Sequence, residues 1–83
     1  MTDYVDRPLT DRQREILTFI ARHLREHGYA PSLRDICDQT GIASTNGVLD
    51  HLNALSRKGY LTRDLATARS LRLTDRGKDE VEE

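Results

Sequence analysis

Four polar residues recur at a spacing that would place them on one face of an α-helix: Asn46, Asp50, Asn53 and Arg57. At about 100° per residue they fall within roughly 60° of one another around the helix axis. Asparagine can form paired hydrogen bonds with adenine, aspartate can accept from the cytosine amino group, and arginine can address guanine or a phosphate. An ordinary solvated helix also carries such a face, so the elements that position it decide its interpretation.

The opposite side of the same stretch is apolar. Val48, Leu52 and Leu55 also cluster within roughly 60°, which predicts an inward-facing stripe. Ser44 can cap the start of this helix, and Gly59 can end it, so the helix is predicted to run from Ser44 to about Lys58. The polar face would then point away from a core.

Two further helices are predicted ahead of it. Thr10 and Gln13 have capping-box spacing at the start of the first, which Gly28 ends. Ser32 can cap the second, which Gly41 ends. Their predicted inward-facing residues are Ile16, Leu17, Ile20 and Leu24 in the first helix and Leu33, Ile36 and Cys37 in the second.

The period changes after Gly59. Residues 60–63 and 69–73 alternate apolar and polar side chains, as half-buried strands do, and residues 64–68 have the length of a hairpin loop. The predicted fold is therefore mainly α with a small β-hairpin: a winged helix-turn-helix with a three-helix core and a two-stranded antiparallel wing. Within it, the second and third helices form the helix-turn-helix unit, whose second helix can lie in the major groove of DNA.

The 83 residues suffice for one domain, predicted over residues 9–73. We expect residues 1–8 to be a flexible arm and residues 74–83 an acidic tail with one loose helical turn or none. The net charge is −1, but residues 41–73 hold five basic and two acidic residues, whereas residues 74–83 hold two and five. The segment assigned to DNA is thus locally basic, and the near-neutral total predicts modest non-specific affinity and strong salt sensitivity.

Contacts with the DNA backbone are predicted at the start of the second helix, on that helix, at the end of the third helix and along the hairpin. Helix N-termini favour phosphate because their amides are free, and basic side chains attract it. The predicted backbone contacts are Ser32, Arg34, Arg57, Lys58, Arg63, Arg69 and Arg72.

Catalysis and metal binding are not expected. His23 and His27, with Glu26 beside the second, match an inverted zinc-peptidase pattern. A catalytic zinc also needs a third ligand and a cleft, and His51 is the only other histidine. The single cysteine, Cys37, cannot form an internal disulfide and fits a reducing cytoplasm. We therefore expect no enzyme activity, metal, cofactor, small-molecule substrate or membrane partner.

Residues 9–73 resemble the N-terminal DNA-binding domain of the LexA repressor family. The Leu-x-Ala-Leu-x-Arg-Lys-Gly stretch at residues 52–59 is the most specific piece. The resemblance depends on the order and spacing of four segments. These segments are residues 9–17, 28–36, 41–44 and 51–61.

The resemblance implies a winged helix that represses transcription by occupying paired operator half-sites. It aligns the family's base-reading segment with residues 44–50. Asn53 is added because it lies on the polar face of the same helix. The predicted base-reading residues are therefore Ser44, Thr45, Asn46, Gly47, Leu49, Asp50 and Asn53. In the best-known members the positions of Leu49 and Asp50 both carry glutamate, and Gly47 replaces alanine. Leu49 cannot hydrogen-bond to a base, although it can touch a thymine methyl group.

The family also implies a C-terminal domain that dimerises and cleaves its own linker, which this sequence does not contain, so we expect a stand-alone regulator or a fragment. Our first hypothesis is a cytoplasmic bacterial or phage repressor that binds double-stranded DNA as a homodimer. The alternative is a winged-helix protein-interaction module that has lost DNA binding. The low net charge, Leu49 and Asp50 motivate that alternative.

Overall fold

The computed structural model describes residues 9–62 and 71–81. Its elements are, in chain order, α1 (Asp11–His27), α2 (Leu33–Thr40), α3 (Thr45–Arg57), β1 (Leu61–Thr62), β2 (Arg72–Leu73) and α4 (Asp75–Glu80). Three helices followed by an antiparallel strand pair is the order of a winged helix. The predicted fold class is confirmed.

The predicted helix starts form by local hydrogen bonding. The Thr10 hydroxyl accepts from the Gln13 amide at 3.1 Å, and the Thr10 amide donates to the Gln13 Oε1 at 3.2 Å. Ser32 and Asp35 exchange the same pair of bonds at 3.0 and 3.1 Å. Each capping box gives hydrogen-bond acceptors to two backbone amides that an uncapped helix start would leave to water. α1 and α2 therefore begin where the sequence predicts.

Gly28 and Gly41 end α1 and α2 in the left-handed conformation, with φ of 81° and 77°. Their amides donate to the Leu24 and Cys37 carbonyls, which closes each helix. A Cβ atom disfavours this conformation, and therefore glycine stands at both turns. The short connections bring α2 back against α1.

The core lies between the three helices and the strand pair. The first-helix prediction is confirmed for Ile16, Leu17 and Ile20, which are fully buried, whereas Leu24 is half-buried at the edge. In α2, Ile36 and Cys37 are buried and Leu33 is half-buried. The remaining buried apolar residues of this cluster are Ala30, Val48, Leu52, Leu55, Tyr60, Leu61 and Leu71.

The strand pair is short. Leu61 lies opposite Leu73 and Thr62 opposite Arg72, in antiparallel register. Among the described residues, strand is assigned to Leu61–Thr62 and Arg72–Leu73, whereas Tyr60 and Leu71, which the predicted ranges 60–63 and 69–73 also include, are not in a strand. The predicted hairpin loop at 64–68, with Arg63 and Arg69, lies outside the described residues, as do the predicted arm at 1–8 and the last two residues of the predicted tail.

The beginning of the predicted acidic tail departs from expectation, because residues 75–80 form the six-residue helix α4. Thr74 caps it by accepting from the Gly77 amide at 3.0 Å. At its other end the Glu80 carboxylate pairs with the Arg14 guanidinium of α1 at 2.5 Å. The expectation was one loose helical turn or none, whereas tertiary contacts stabilise a six-residue helix that would be too short to be stable by itself.

None of the helices in the described ranges is both long and apolar enough to cross a lipid bilayer.

Candidate nucleic-acid interface

α3 is positioned by a cap at one end and an apolar anchor along one side. The Ser44 hydroxyl accepts from the Gly47 amide at 3.3 Å, as predicted, so Ser44 is the N-cap of α3. Val48, Leu52 and Leu55 are at most 1% exposed and pack against α1, α2 and the strand pair. Burial of this stripe fixes the rotation of α3 about its own axis.

The opposite face of α3 is open to solvent. Asn46, Asp50, Asn53 and Arg57 are all exposed, as the helical spacing predicts. Thr45 is also exposed, beside the cap. These side chains offer amide, carboxylate, hydroxyl and guanidinium groups, which are the kinds of group that recognise base edges in the major groove. The exposed α3 face, defined by these five residues, is the candidate interface.

Two residues of the predicted base-reading segment are partly enclosed by the protein. Gly47 and Leu49 are half-buried. A Cβ atom added at Gly47 would lie 3.0 Å from Cγ2 of Ile42, in the turn between α2 and α3. Glycine therefore allows the turn to pack closely on the first turn of α3, and alanine would require Ile42 to move by a few tenths of an ångström.

The predicted backbone contacts take different positions. Arg34, Arg57 and Arg72 are exposed, on α2, at the last residue of α3 and on β2. Ser32 is half-buried, and its hydroxyl accepts from the Asp35 amide at 3.0 Å at the start of α2. Within the described ranges these four side chains stay as candidates for phosphate contact.

Lys58 requires a correction. It was predicted to face the DNA backbone, but it is only 9% exposed, and its Nζ donates to the Gln13 Oε1 of α1 at 2.6 Å. Lys58 lies between the polar and apolar faces of α3, where its long side chain can fold inwards and reach a polar group in the core. We therefore omit Lys58 from the candidate interface.

The histidines of the zinc-peptidase pattern belong to a cluster of rings at the end of α1. The rings of His23 and His27 lie 4.3 Å apart, and His23 also contacts Phe19 and Tyr29. The Nδ1 atom of His23 lies 2.9 Å from the Tyr29 carbonyl oxygen, which is an acceptor. No group of three potential ligands from His, Cys, Asp and Glu forms anywhere in residues 9–62 and 71–81.

Sequence reasoning missed the second role of Gln13. Its Oε1 accepts both from the Thr10 amide and from Lys58 Nζ, so one side chain caps α1 and links α1 to the end of α3. Gln13 is 7% exposed. The capping-box spacing identified the first bond, but no local signal identifies a partner 45 residues away.

The fold and the exposed α3 face define a winged helix-turn-helix protein. Residues 6–70 match the family model described as LexA DNA binding domain. The chain belongs to the LexA DNA-binding domain family.

Curated relatives agree with this membership. A LexA repressor of Anaeromyxobacter dehalogenans is 57% identical over 76% of this chain, and one of Sorangium cellulosum is 54% identical over 81%. A LexA repressor of Myxococcus xanthus is 51% identical over 84%. The aligned regions are 28%, 29% and 32% of these three proteins, so the chain spans less than a third of the length of each.

The fold is also found in a solved structure. A crystal structure of a hypothetical protein at 2.2 Å resolution superposes with a TM-score of 0.76 at 25% sequence identity. The match covers 89% of this chain and 23% of the other. It therefore extends the support for the architecture beyond close sequence relatives.

Proposed function

We propose that this chain binds specific sequences of double-stranded DNA and represses transcription, with α3 in the major groove. The observation that carries the proposal is the exposed α3 face, opposite a fully buried apolar stripe, in a member of the LexA DNA-binding domain family. A rigidly anchored helix presents its side chains at fixed spacing, which sequence recognition requires.

Base recognition comes from the first two turns of α3 in this proposal. Asn46 pairs with the N6 and N7 atoms of adenine, and Asp50 accepts from the amino group of cytosine. Leu49, which cannot donate or accept, packs against a thymine methyl group. Ser44, Thr45 and Gly47 assist them by polar contact and close approach. Asn53, one turn further along the same face, adds a polar contact.

Backbone contacts hold α3 in register. Ser32 stands at the N-terminus of α2, where free amides favour phosphate, and Arg34, Arg57 and Arg72 extend from exposed positions around the α3 face. Arg63 and Arg69, outside the described residues, are proposed in the same role. These contacts supply affinity without base preference.

Two copies of the chain occupy paired half-sites in this proposal. One small domain buries little DNA surface, and a second copy on a palindrome supplies the affinity that one module lacks. Half-sites about 34–36 Å apart would put both copies on the same side of the duplex. The relatives are named LexA repressors and come from bacteria, which supports repression in a bacterial cytoplasm.

The test begins with selection of bound duplexes from a random pool, which gives the preferred site. Asn46→Ala is then expected to weaken binding to that site by about 1–3 kcal/mol, or roughly five- to 150-fold, because one paired contact to a base is lost. Binding to random DNA should change little. Titrations followed by fluorescence anisotropy measure both.

Gln39→Ala serves as the control, because Gln39 is an exposed uncharged side chain on α2 that lies off the α3 face. It should leave the ratio of specific to random binding unchanged. Equal losses on both kinds of DNA for Asn46→Ala would contradict base reading by α3, and failure to select any duplex would contradict the proposed function.

Lys58→Met is expected to leave the salt dependence of DNA binding unchanged, because the Lys58 ammonium is directed at Gln13 rather than at solvent. Arg57→Met, one residue away and exposed, should instead lower the slope of log affinity against log salt concentration by about 1, the value for one phosphate contact. Binding titrations at several salt concentrations measure the slopes. An equal reduction in both variants would return Lys58 to the interface.

A further inference from the structure

The helix α4 lies beyond residues 6–70, the range that the family model matches. Besides β2 and Arg14 of α1, α4 and its N-cap contact Gly59 and Tyr60, the two residues that lead from the end of α3 into β1. We call these two residues the α3–β1 junction. α4 therefore contacts the segment that connects the exposed α3 face to the strand pair.

Thr74 makes three hydrogen bonds at this contact. Its amide donates to the Tyr60 carbonyl at 3.1 Å, and its hydroxyl donates to the Gly59 carbonyl at 2.6 Å. The same hydroxyl accepts from the Gly77 amide at 3.0 Å and so caps α4. The Thr74 side chain thus starts α4 and holds the Gly59 carbonyl, while the Thr74 backbone amide holds the Tyr60 carbonyl.

Gly77 brings the backbone of α4 directly against the same junction. It is buried, and a Cβ atom at this position would overlap the Tyr60 carbonyl oxygen and lie 3.3 Å from Cδ2 of Leu73. Arg76 immediately precedes Gly77, and its guanidinium lies 4.9 Å from the centre of the Tyr60 ring. Only glycine permits this approach without movement of one of the two segments.

The α3–β1 junction lies between two arginines of the proposed backbone contacts. Arg57 is the last residue of α3, and Arg72 pairs across the strands with Thr62, two residues after Tyr60. A shift of the junction would therefore change the distance between these arginines and their angle to α3. Phosphates lie at fixed spacing along a duplex, so both arginines can contact them only at one separation.

We propose that Thr74 and Gly77 are positioning residues for DNA binding: they dock α4 on the α3–β1 junction and so set Arg57 and Arg72 at the spacing of the phosphates. This inference rests on the proposed function. The fully buried core residues all come from α1, α2, α3, the strand pair and their connections, and Gly77 is the buried residue of α4. α4 also reaches the core through its C-cap Val81, which is partly buried, so its docking acts on the junction as well as on the core.

Thr74→Val in the full chain tests the proposal, because valine keeps the shape of threonine and removes its hydroxyl. We expect affinity for the selected duplex to fall roughly three- to tenfold, as for one or two weakened hydrogen bonds. The slope of log affinity against log salt concentration should fall by about 1, since one phosphate contact is lost, while the preferred base sequence stays the same. Thr74→Ser, which restores the hydroxyl, should restore both affinity and slope.

Gly77→Ala should act in the same direction and more strongly. Ile20→Val is the control for stability alone, because Ile20 is a fully buried residue of α1; it should lower the melting temperature and keep the salt slope. A Thr74→Val protein that is less stable but keeps its affinity and slope would overturn the positioning role and leave the proposed function intact. A wild-type chain that prefers no duplex would overturn both.

Discussion

Leu52→Ala is expected to lower the free energy of unfolding by about 3 kcal/mol. Leu52 is 1% exposed at the centre of the apolar stripe of α3, so truncation removes buried methyl groups and leaves a cavity that the surrounding helices fill only in part. Domains of this length are stabilised by roughly 4–12 kcal/mol in total, so the loss is a large fraction. Urea unfolding followed by circular dichroism measures it.

Leu49→Ala is the matched control, because it makes the same substitution three residues away on the same helix. Leu49 is half-buried, so its truncation should cost less than half as much stability. Its main effect should be on affinity for the selected duplex, where Leu49 is proposed to touch a thymine methyl group. If the two variants lost equal stability, the assignment of Leu52 but not Leu49 to the buried stripe of α3 would be wrong.

The helix boundaries were predictable because their signals are local. Thr10 and Gln13, like Ser32 and Asp35, lie three residues apart and bond within one turn. Ser44 bonds the amide three residues on in the same manner. Such bonds depend on nothing outside the segment, so they can be inferred from spacing. The rotation of α3 followed from its apolar stripe for the same reason.

The orientation of Lys58 was not predictable from α3 alone. Its position on the helix falls between the polar and apolar faces, so the pattern permits either direction. The Gln13 side chain on α1 determines the outcome, because it supplies an acceptor inside the protein. This contact joins residues far apart in sequence, and a helical wheel contains no information about it.

The helix α4 extends beyond the one loose helical turn, or none, that was expected in the acidic tail. Five acidic residues among residues 74–83 indicate a solvated tail, but Thr74 stands at a cap position. Gly77 is a poor helix former, yet it stands within α4. The structure explains this glycine by its contact with the Tyr60 carbonyl, which no sequence pattern reveals.

Gln13→Leu is expected to lower the free energy of unfolding by about 2.5–4 kcal/mol. The change removes the acceptor for the Thr10 amide and an acceptor for the buried Lys58 ammonium. The hydrogen bond from the Thr10 amide contributes about 1 kcal/mol, and a hydrogen bond to a charged group contributes about 1.5–3 kcal/mol. Gln39→Leu, the same change at an exposed site on α2, should alter stability by less than about 0.5 kcal/mol.

A double-mutant cycle with Lys58→Met separates the two contributions. In the Lys58→Met background the ammonium is gone, so Gln13→Leu should cost only the cap, about 1 kcal/mol. The difference between the two backgrounds measures the coupling of Gln13 to Lys58, expected at about 1.5–3 kcal/mol, within the range of roughly 0.5–3 kcal/mol for residues in contact. An equal cost of Gln13→Leu in both backgrounds would mean that the bond joining α1 to the end of α3 does not stabilise the fold. The inward orientation of Lys58 would then need another cause.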